Sequence, residues 1–341
     1  MSGKYEKKSS SWKRKLIVGF CILLALVLAA LLCVYILADD LLSNIGRFDD
    51  TVVTVDSEQL ESYVNADDTK PIIDPAETIP SGKNIINVLL VGQDRREGEP
   101  RMHSDAMILC TINKSTNTFT MTSFMRDMWV YIPDHYNARI NVPYMVGGFD
   151  LLNSTLEYNF GVRADYNVEI DFSGFMKVID LVGGIDIELT AREAKYLNER
   201  GNWDVEENQS WQLVEGFNHL NGSQALAYSR IRAIGDDFER TNRQRVVLTT
   251  LIEKAKELDI SELYGLAKNV FPMLTTDMTN PQMMGLALEI VPMLSDLQIV
   301  SQRIPMDNEY HFANKDGADV IELTKENFEA SKALLSKSME E

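Results

Sequence analysis

Cysteine is scarce: the 341 residues hold three, Cys21, Cys33 and Cys110. That is too few for a disulfide framework or a cysteine-built zinc site. Histidine is as thin. His103, His135, His219 and His311 are scattered along the chain, so a histidine zinc site is not expected either. Several catalytic signatures are missing, among them G-x-x-x-x-G-K-[ST], G-x-G-x-x-G and H-E-x-x-H, and the G-x-S-x-G elbow. Positive charge is in deficit. The 33 Lys and Arg stand against 51 Asp and Glu, a net charge of -18, which argues against a nucleic-acid binder with its basic face. A 45% hydrophobic share with 25% charge excludes a mainly disordered chain. The length allows one large domain or two small ones, and no internal repeat is visible.

Charge is absent altogether from residues 16–38, a run rich in Leu, Val, Ile and Ala. As a helix this run would reach about 35 Å, enough to cross a hydrocarbon core of about 30 Å. It is longer than a secretory h-region and lacks a clear A-x-A cleavage pattern, so an uncleaved anchor is favoured over a removed signal. Lys4, Lys7, Lys8, Lys13, Arg14 and Lys15 precede the run, opposed only by Glu6, and Asp39 and Asp40 follow it. The positive-inside rule then leaves a cytoplasmic tail at 1–15, a transmembrane helix at 16–38 and an extracytoplasmic remainder. That remainder keeps a single cysteine, Cys110, as suits a bacterial surface where disulfides are seldom used.

Residues 39–83 read as a connector. Periodicity is poor, and Lys70-Pro71, Asp74-Pro75 and Ile79-Pro80-Ser81-Gly82 break regular structure. A short helix at Ser57–Val64 is the one element expected there. The folded domain is expected over 84–341. Asn87–Val91, Ala106–Ile112 and Phe119–Phe124 read as strands. Asn167–Phe172 and Gly184–Leu189 flank a helical pattern at Gly174–Leu181, which suggests a βαβ-like unit. Helices are expected at 222–231 and 239–258, a late strand at Leu297–Ile304 and a closing helix at Lys325–Ser336. This alternation predicts an α/β fold, a mixed central sheet with helices on both faces, with ligands gathering outside the carboxyl ends of strands.

Three segments could carry chemistry. Asp94 follows the first strand through Gly92, and Asp105 precedes the next. Two carboxylates facing one another with open positions suit Mg²⁺, which binds through one or two carboxylates and keeps room for phosphates; solvated loop aspartates are the plainer alternative. Ser123-Phe-Met-Arg126-Asp127 ends a strand in an Arg-Asp pair, a common structural ion pair. The third is the most telling. Arg230, Arg232, Arg240, Arg243 and Arg245 lie within 16 residues without one lysine. The guanidinium fork can hold two phosphate oxygens at once and is always charged. Arg240 and Gln244 share one face of a helix, whereas Arg243 is placed to point elsewhere. Asp236, Asp237 and Glu239 could neutralise part of the cluster, so a pyrophosphate site and a solvated salt-bridge network both stand. The methionines, such as Met273 and Met283-Met284, read as core filler.

Taken in order, these segments resemble the LytR–CpsA–Psr family. The matching pieces are Asn87-Val-Leu-Leu-Val-Gly-Gln-Asp94, Ser104-Asp105-Ala-Met-Ile-Leu109, Ser123-Phe-Met-Arg126-Asp127, Arg139-Ile-Asn141 and Gly147-Gly148. They continue with Phe175…Asp180-Leu-Val-Gly-Gly184, Leu220-Asn-Gly222, Ala225-Leu-Ala-Tyr-Ser-Arg230-Ile-Arg232 and Asp237…Arg240…Arg243-Gln244. They span about residues 84–258.

The resemblance implies a membrane-anchored phosphotransferase of the bacterial surface. Such an enzyme moves a glycopolymer, for example wall teichoic acid or capsule, from a polyprenyl-pyrophosphate carrier onto peptidoglycan. It implies Asp94 and Asp105 as the pair associated with Mg²⁺, and Arg126, Arg230, Arg232, Arg240 and Gln244 as the pyrophosphate grip, the first three being catalytic. A greasy tunnel would hold the prenyl tail, with Phe175, Val178 and Leu181 as contributors to its lining. The sequence departs from the family at His103, where an arginine is usual; Arg101 is the substitute, or else the grip depends on a histidine whose charge changes near neutral pH. Asp127 is expected as a structural partner of a nearby arginine ahead of a general base. A polyprenyl-pyrophosphate hydrolase and a non-catalytic lipid-binding regulator are the rival readings.

Overall fold

The computed structural model describes residues 39–40, 42–43, 45–48, 70–93, 103–199, 211–307, 310–315 and 317–340. Residues 1–44 and 45–341 are separate units, and of the first only two short helical pieces, 39–40 and 42–43, are described. Among the described residues no helix is long and apolar enough to cross a membrane. The expected tail at 1–15, the span at 16–38 and the helix at Ser57–Val64 lie outside them.

In the second unit the chain runs β1 (Gly46–Arg47), β2 (Ile85–Gln93), β3 (Ser104–Asn113), β4 (Thr118–Phe124), β5 (Trp129–Tyr131) and β6 (Asn137–Arg139). Next come α1 (Val142–Phe160), β7 (Tyr166–Asp171), α2 (Phe172–Leu181), β8 (Ile185–Leu189), α3 (Ala191–Asn198), β9 (Gly216–Leu220) and α4 (Gly222–Arg230). The chain closes with α5 (Asp237–Lys256), α6 (Ile260–Val270), β10 (Leu274–Thr276), α7 (Asn280–Ile290), β11 (Gln298–Ile304), β12 (His311–Lys315), β13 (Ala318–Glu322) and α8 (Lys325–Ser338).

Seven strands form one mixed sheet in the order β1-β10-β7-β2-β3-β4-β11. Side chains alternate between its faces with the period of two that a pleated strand imposes. In β2, Leu89 and Val91 join Tyr144, Leu152 and Phe160 of α1 and Phe328 and Leu335 of α8. Val88 and Leu90 join Leu248 and Ile252 of α5 and Leu286 and Ile290 of α7 on the opposite face. The sheet is therefore covered by helices on both sides. Gly148 interrupts α1 at φ 62 and ψ −148, a conformation that a side chain would oppose. Residues before 84 also contribute: β1 pairs with β10 at the sheet edge, and Ile79 is buried in the core with α1.

The βαβ expectation needs correction. β7 is flanked by β10 and β2, so no edge is left on it for β8. Instead β8 pairs antiparallel with β9 in a separate two-stranded sheet, which shares an apolar cluster with α4 and with Val247 of α5.

Strand direction decides which strand ends share an edge. β7 is parallel to β2, β2 and β4 are each antiparallel to β3, and β11 is parallel to β4. The carboxyl ends of β2, β4, β7 and β11 and the start of β3 consequently meet along one side of the sheet.

Candidate functional site

Along that edge Asp105 comes first. In the β2–β3 register Gly92 pairs with Ala106 but Gln93 pairs with Ser104, so Asp105 is the extra residue of a bulge. Strict alternation would send it to the face of Met107 and Leu109; the bulge re-aims it. Its carboxylate lies in the wall of a cavity with Ala106 and Ile108. Arg126 follows β4, where Met125 N–H donates to the Ile304 carbonyl (3.0 Å) and Met128 N–H donates to the Met125 carbonyl (3.1 Å).

The other cations arrive from α4 and α5. The N-cap Asn221 and Gln224 form a capping box at the start of α4. Gly222 lies so close to α2 that a Cβ there would stand 2.2 Å from the Met176 carbonyl oxygen, which accounts for glycine in the Leu220-Asn-Gly222 segment. Arg230 ends α4, its guanidinium 4.6 Å from the centre of the Phe172 ring. Asp236 caps α5 by accepting from Glu239 N–H. Arg240, Gln244 and Leu248 then fall on one strip of α5, four residues apart.

These elements enclose a cavity of about 810 Å³. One part of its wall is polar: Asp105, Arg126, Arg230, Arg232, Arg240 and Gln244. The other is apolar: Leu90, Ile108, Ile170, Phe172, Phe175, Leu226 and Leu248. Six residues singled out in the sequence thus meet in one place. Asp94 and Arg101 lie outside the described residues. Phe175 is in the wall, whereas Val178 and Leu181 are not; Leu181, in the last turn of α2, is 44% exposed. Leu90, Ile108, Phe172, Leu226 and Leu248 had no separate signal, because an apolar residue facing a cavity and one facing a core have the same periodicity.

Carboxylates thread the cations. Arg126 Nη1 donates to Asp105 Oδ1 at 2.9 Å, and Arg232 Nη2 lies 3.5 Å from the same oxygen. Arg126 Nε is 3.5 Å from Asp127 and 3.8 Å from Asp237, while Arg240 Nη2 sits 2.9 Å from Asp237. Burial, and then the charges of Arg240 and Arg126 working against it, leave the Asp237 carboxyl above its ordinary value. Burial lowers the Arg240 guanidinium to about 10, still fully charged at neutral pH. Arg240 is only 2% exposed, and its Nε has no hydrogen-bond partner. A buried charged donor left in that condition is costly.

Arg243 serves the fold. Arg243 donates to Glu193 at 2.7 Å and to the Ile231 carbonyl at 3.1 Å. Arg245 is buried outside the cavity wall and donates to Asn242. Asp127 also pairs with Arg139 at 3.4 Å, a structural partner. His103 is not in the wall, and its pKa is lowered by burial and then by Arg139. Both effects favour the neutral imidazole. Among the described residues no group of three or more metal-ligating side chains is present; Asp105 offers a single carboxylate.

The sequence model of the LytR_cpsA_psr family matches residues 51–337. The polyisoprenyl-teichoic acid–peptidoglycan teichoic acid transferase TagT of Bacillus subtilis (strain 168) is 33% identical over 189 residues, 54% of this chain and 56% of that protein. The chain thus spans little more than half the length of this curated relative. A structure of TagT bound to LIIa-WTA superposes with a TM-score of 0.62 at 25% identity, covering 79% of this chain and 96% of that one. A structure of the LytR-CPS2A-psr family protein YwtF (TagT) with bound octaprenyl pyrophosphate lipid gives a TM-score of 0.58 at 23% identity, over 78% and 96% of the two chains. At that identity the second likeness is one of fold.

Proposed function

Since the chain belongs to the LytR_cpsA_psr family, we propose that it is a phosphotransferase that moves a glycopolymer from a polyprenyl-pyrophosphate carrier onto peptidoglycan. One observation carries this reading. A single cavity joins a wall of four arginines to a wall of Leu, Ile and Phe side chains, the two chemistries that a lipid pyrophosphate combines. The names of TagT and of its ligand-bound structures point to the same substrate class. The family relation supports wall teichoic acid or capsule as cargo and the bacterial membrane surface as location.

In this mechanism Arg126, Arg230, Arg232 and Arg240 take the pyrophosphate oxygens and Gln244 adds a hydrogen bond. An acceptor hydroxyl attacks the phosphorus that bears the glycopolymer. The new phosphorus–oxygen bond forms as the bridging bond breaks, and the electron pair leaves on polyprenyl phosphate. The hydroxyl proton passes to solvent. Guanidinium groups already fixed by Asp105, Asp127 and Asp237 stabilise the developing charge with little rearrangement. Asp105, with Asp94 directly after β2, would hold Mg²⁺, which supplies further neutralisation of phosphate charge when bound. Residues 16–38, as a membrane span, would keep the cavity near the carrier and raise the effective concentration.

The test is to supply the full chain with polyprenyl-linked, labelled glycopolymer and peptidoglycan, with Mg²⁺ or with chelator. Label on peptidoglycan that depends on Mg²⁺ in the parent, with a blunted Mg²⁺ response in Asp105→Asn, is the expected result. Release of soluble sugar phosphate alone identifies a hydrolase, and an Asp105→Asn enzyme responding like the parent removes Asp105 from the metal site.

A further inference from the structure

Beside the arginines, on the same sheet edge, stands a group of aromatic rings that the lipid cavity does not use. Phe238 and Tyr310 have ring centres 4.5 Å apart, and Phe312 meets Tyr310 edge-on at 5.6 Å and 79°. Phe312 is 68% exposed, and with Tyr310 beside it the two rings form a contiguous aromatic surface.

The rings are held in place. The Arg303 guanidinium lies 4.2 Å from the centre of Phe238. His311 and Lys315 of β12 both bind Glu322 of β13, at 2.8 and 2.6 Å. The β12–β13 hairpin is tied to the phosphate site, since Ile321 N–H donates to the Asp127 carbonyl at 2.8 Å.

Their position is set by the sheet. Phe238 is the neighbour of Asp237, which contacts Arg126 and Arg240. Arg303 is the penultimate residue of β11, paired with β4, and Arg126 leaves the end of β4. The apolar wall lies the other way, towards β3, β2 and β7. Phosphoryl transfer places attacking and leaving oxygens roughly in line. If the lipid leaves towards β2 and β7, the attacking hydroxyl must approach from the β4–β11 side, where the rings are.

We propose that Phe312, with Tyr310 and Phe238 behind it, is the acceptor subsite, on which the apolar face of a pyranose ring of the peptidoglycan glycan strand stacks while its hydroxyl reaches the phosphorus. The aromatic corner supplies apolar contact area, as suits the C–H face of an N-acetylated pyranose ring. This inference rests on the chain being a transferase.

Full-length Phe312→Ala and Phe312→Trp are compared with the parent for the KM of peptidoglycan glycan strands, for octaprenyl pyrophosphate affinity and for direct binding of a GlcNAc–MurNAc tetrasaccharide. Phe312→Ala should raise the acceptor KM and the tetrasaccharide Kd roughly three- to tenfold, the worth of one aromatic contact. Lipid affinity should be unchanged, and Phe312→Trp should restore both acceptor values. An acceptor KM in Phe312→Ala equal to the parent's overturns the proposal, also where the variant instead alters self-association or vesicle binding. If the parent transfers nothing, the transferase reading fails separately. Tetrasaccharide binding then decides the subsite: weakened in Phe312→Ala it stands, absent or unaltered it falls.

Discussion

Arg230→Ala separates binding from folding more cleanly than any other change at the cavity. Arg230 is exposed at the last turn of α4 and rests on Phe172. Losing that contact costs about 0.5–1 kcal/mol, and losing a cation at the helix C-terminus about 0.3–1 kcal/mol more. The variant should therefore fold, with a melting temperature lowered by only a few degrees. Its effect on a bound pyrophosphate is larger. A unit charge at about 4 Å from a phosphate oxygen, with an effective dielectric of about 20, contributes about 4 kcal/mol. Truncating one partner of such a pair usually costs about 2–5 kcal/mol. Solvent beside Arg230 places it in the lower half of that range, about 2–3 kcal/mol, or roughly a 30- to 150-fold rise in Kd. Titration calorimetry with octaprenyl pyrophosphate, with circular dichroism to check the fold, measures both quantities. If the folded variant binds the lipid within about threefold of the parent, Arg230 is not a phosphate contact and the charge-matching argument for the cavity fails.

Two further outcomes are expected. Arg243→Ala strips the buried Glu193 of its guanidinium at 2.7 Å and should cost about 3–5 kcal/mol in urea unfolding, while the folded fraction keeps parental lipid affinity. The Asp237 carboxyl, raised above its ordinary value chiefly by burial, gives a pH dependence opposite in sign to a salt-bridged surface carboxylate. Its proton is bound more tightly in the folded state, so this group favours folding on the acid side and that contribution is lost as pH rises through the raised value. The same protonation removes a negative charge from beside Arg126 and Arg240. Pyrophosphate affinity should therefore climb as pH falls through that range in the parent, and the climb should vanish in Asp237→Asn. An identical pH profile in that variant would falsify the assignment.

Most of the element pattern was legible because it is local. The short apolar runs 87–91 and 106–112 mark strands, and the four-residue spacing of Arg240 and Gln244 puts both on one face. Where the sequence misled, the cause was distant. Gly184–Leu189 has a strand pattern, but its partner is β9, because β10 and β2 already occupy both sides of β7. Val178 and Leu181 have the same apolar character as Phe175, and only packing separates the cavity wall from the solvent face of α2.

The amino-acid sequence alone determined the chemical inventory: a cluster of arginines in an acidic chain, carboxylates at strand ends, and an ordered set of family segments. It also determined which local element carries each of them, since helix and strand periodicity are properties of neighbouring residues. The tertiary structure decided the rest. A one-residue bulge turned Asp105 from the core face to the cavity, and the α4–α5 junction brought Arg230, Arg232 and Arg240 to Arg126, more than a hundred residues away in the chain. It also sent Arg243 into a buried pair. These outcomes depend on register and on contacts between remote segments, whose free energy is set by the whole packed sheet and is not written in any one stretch of chain.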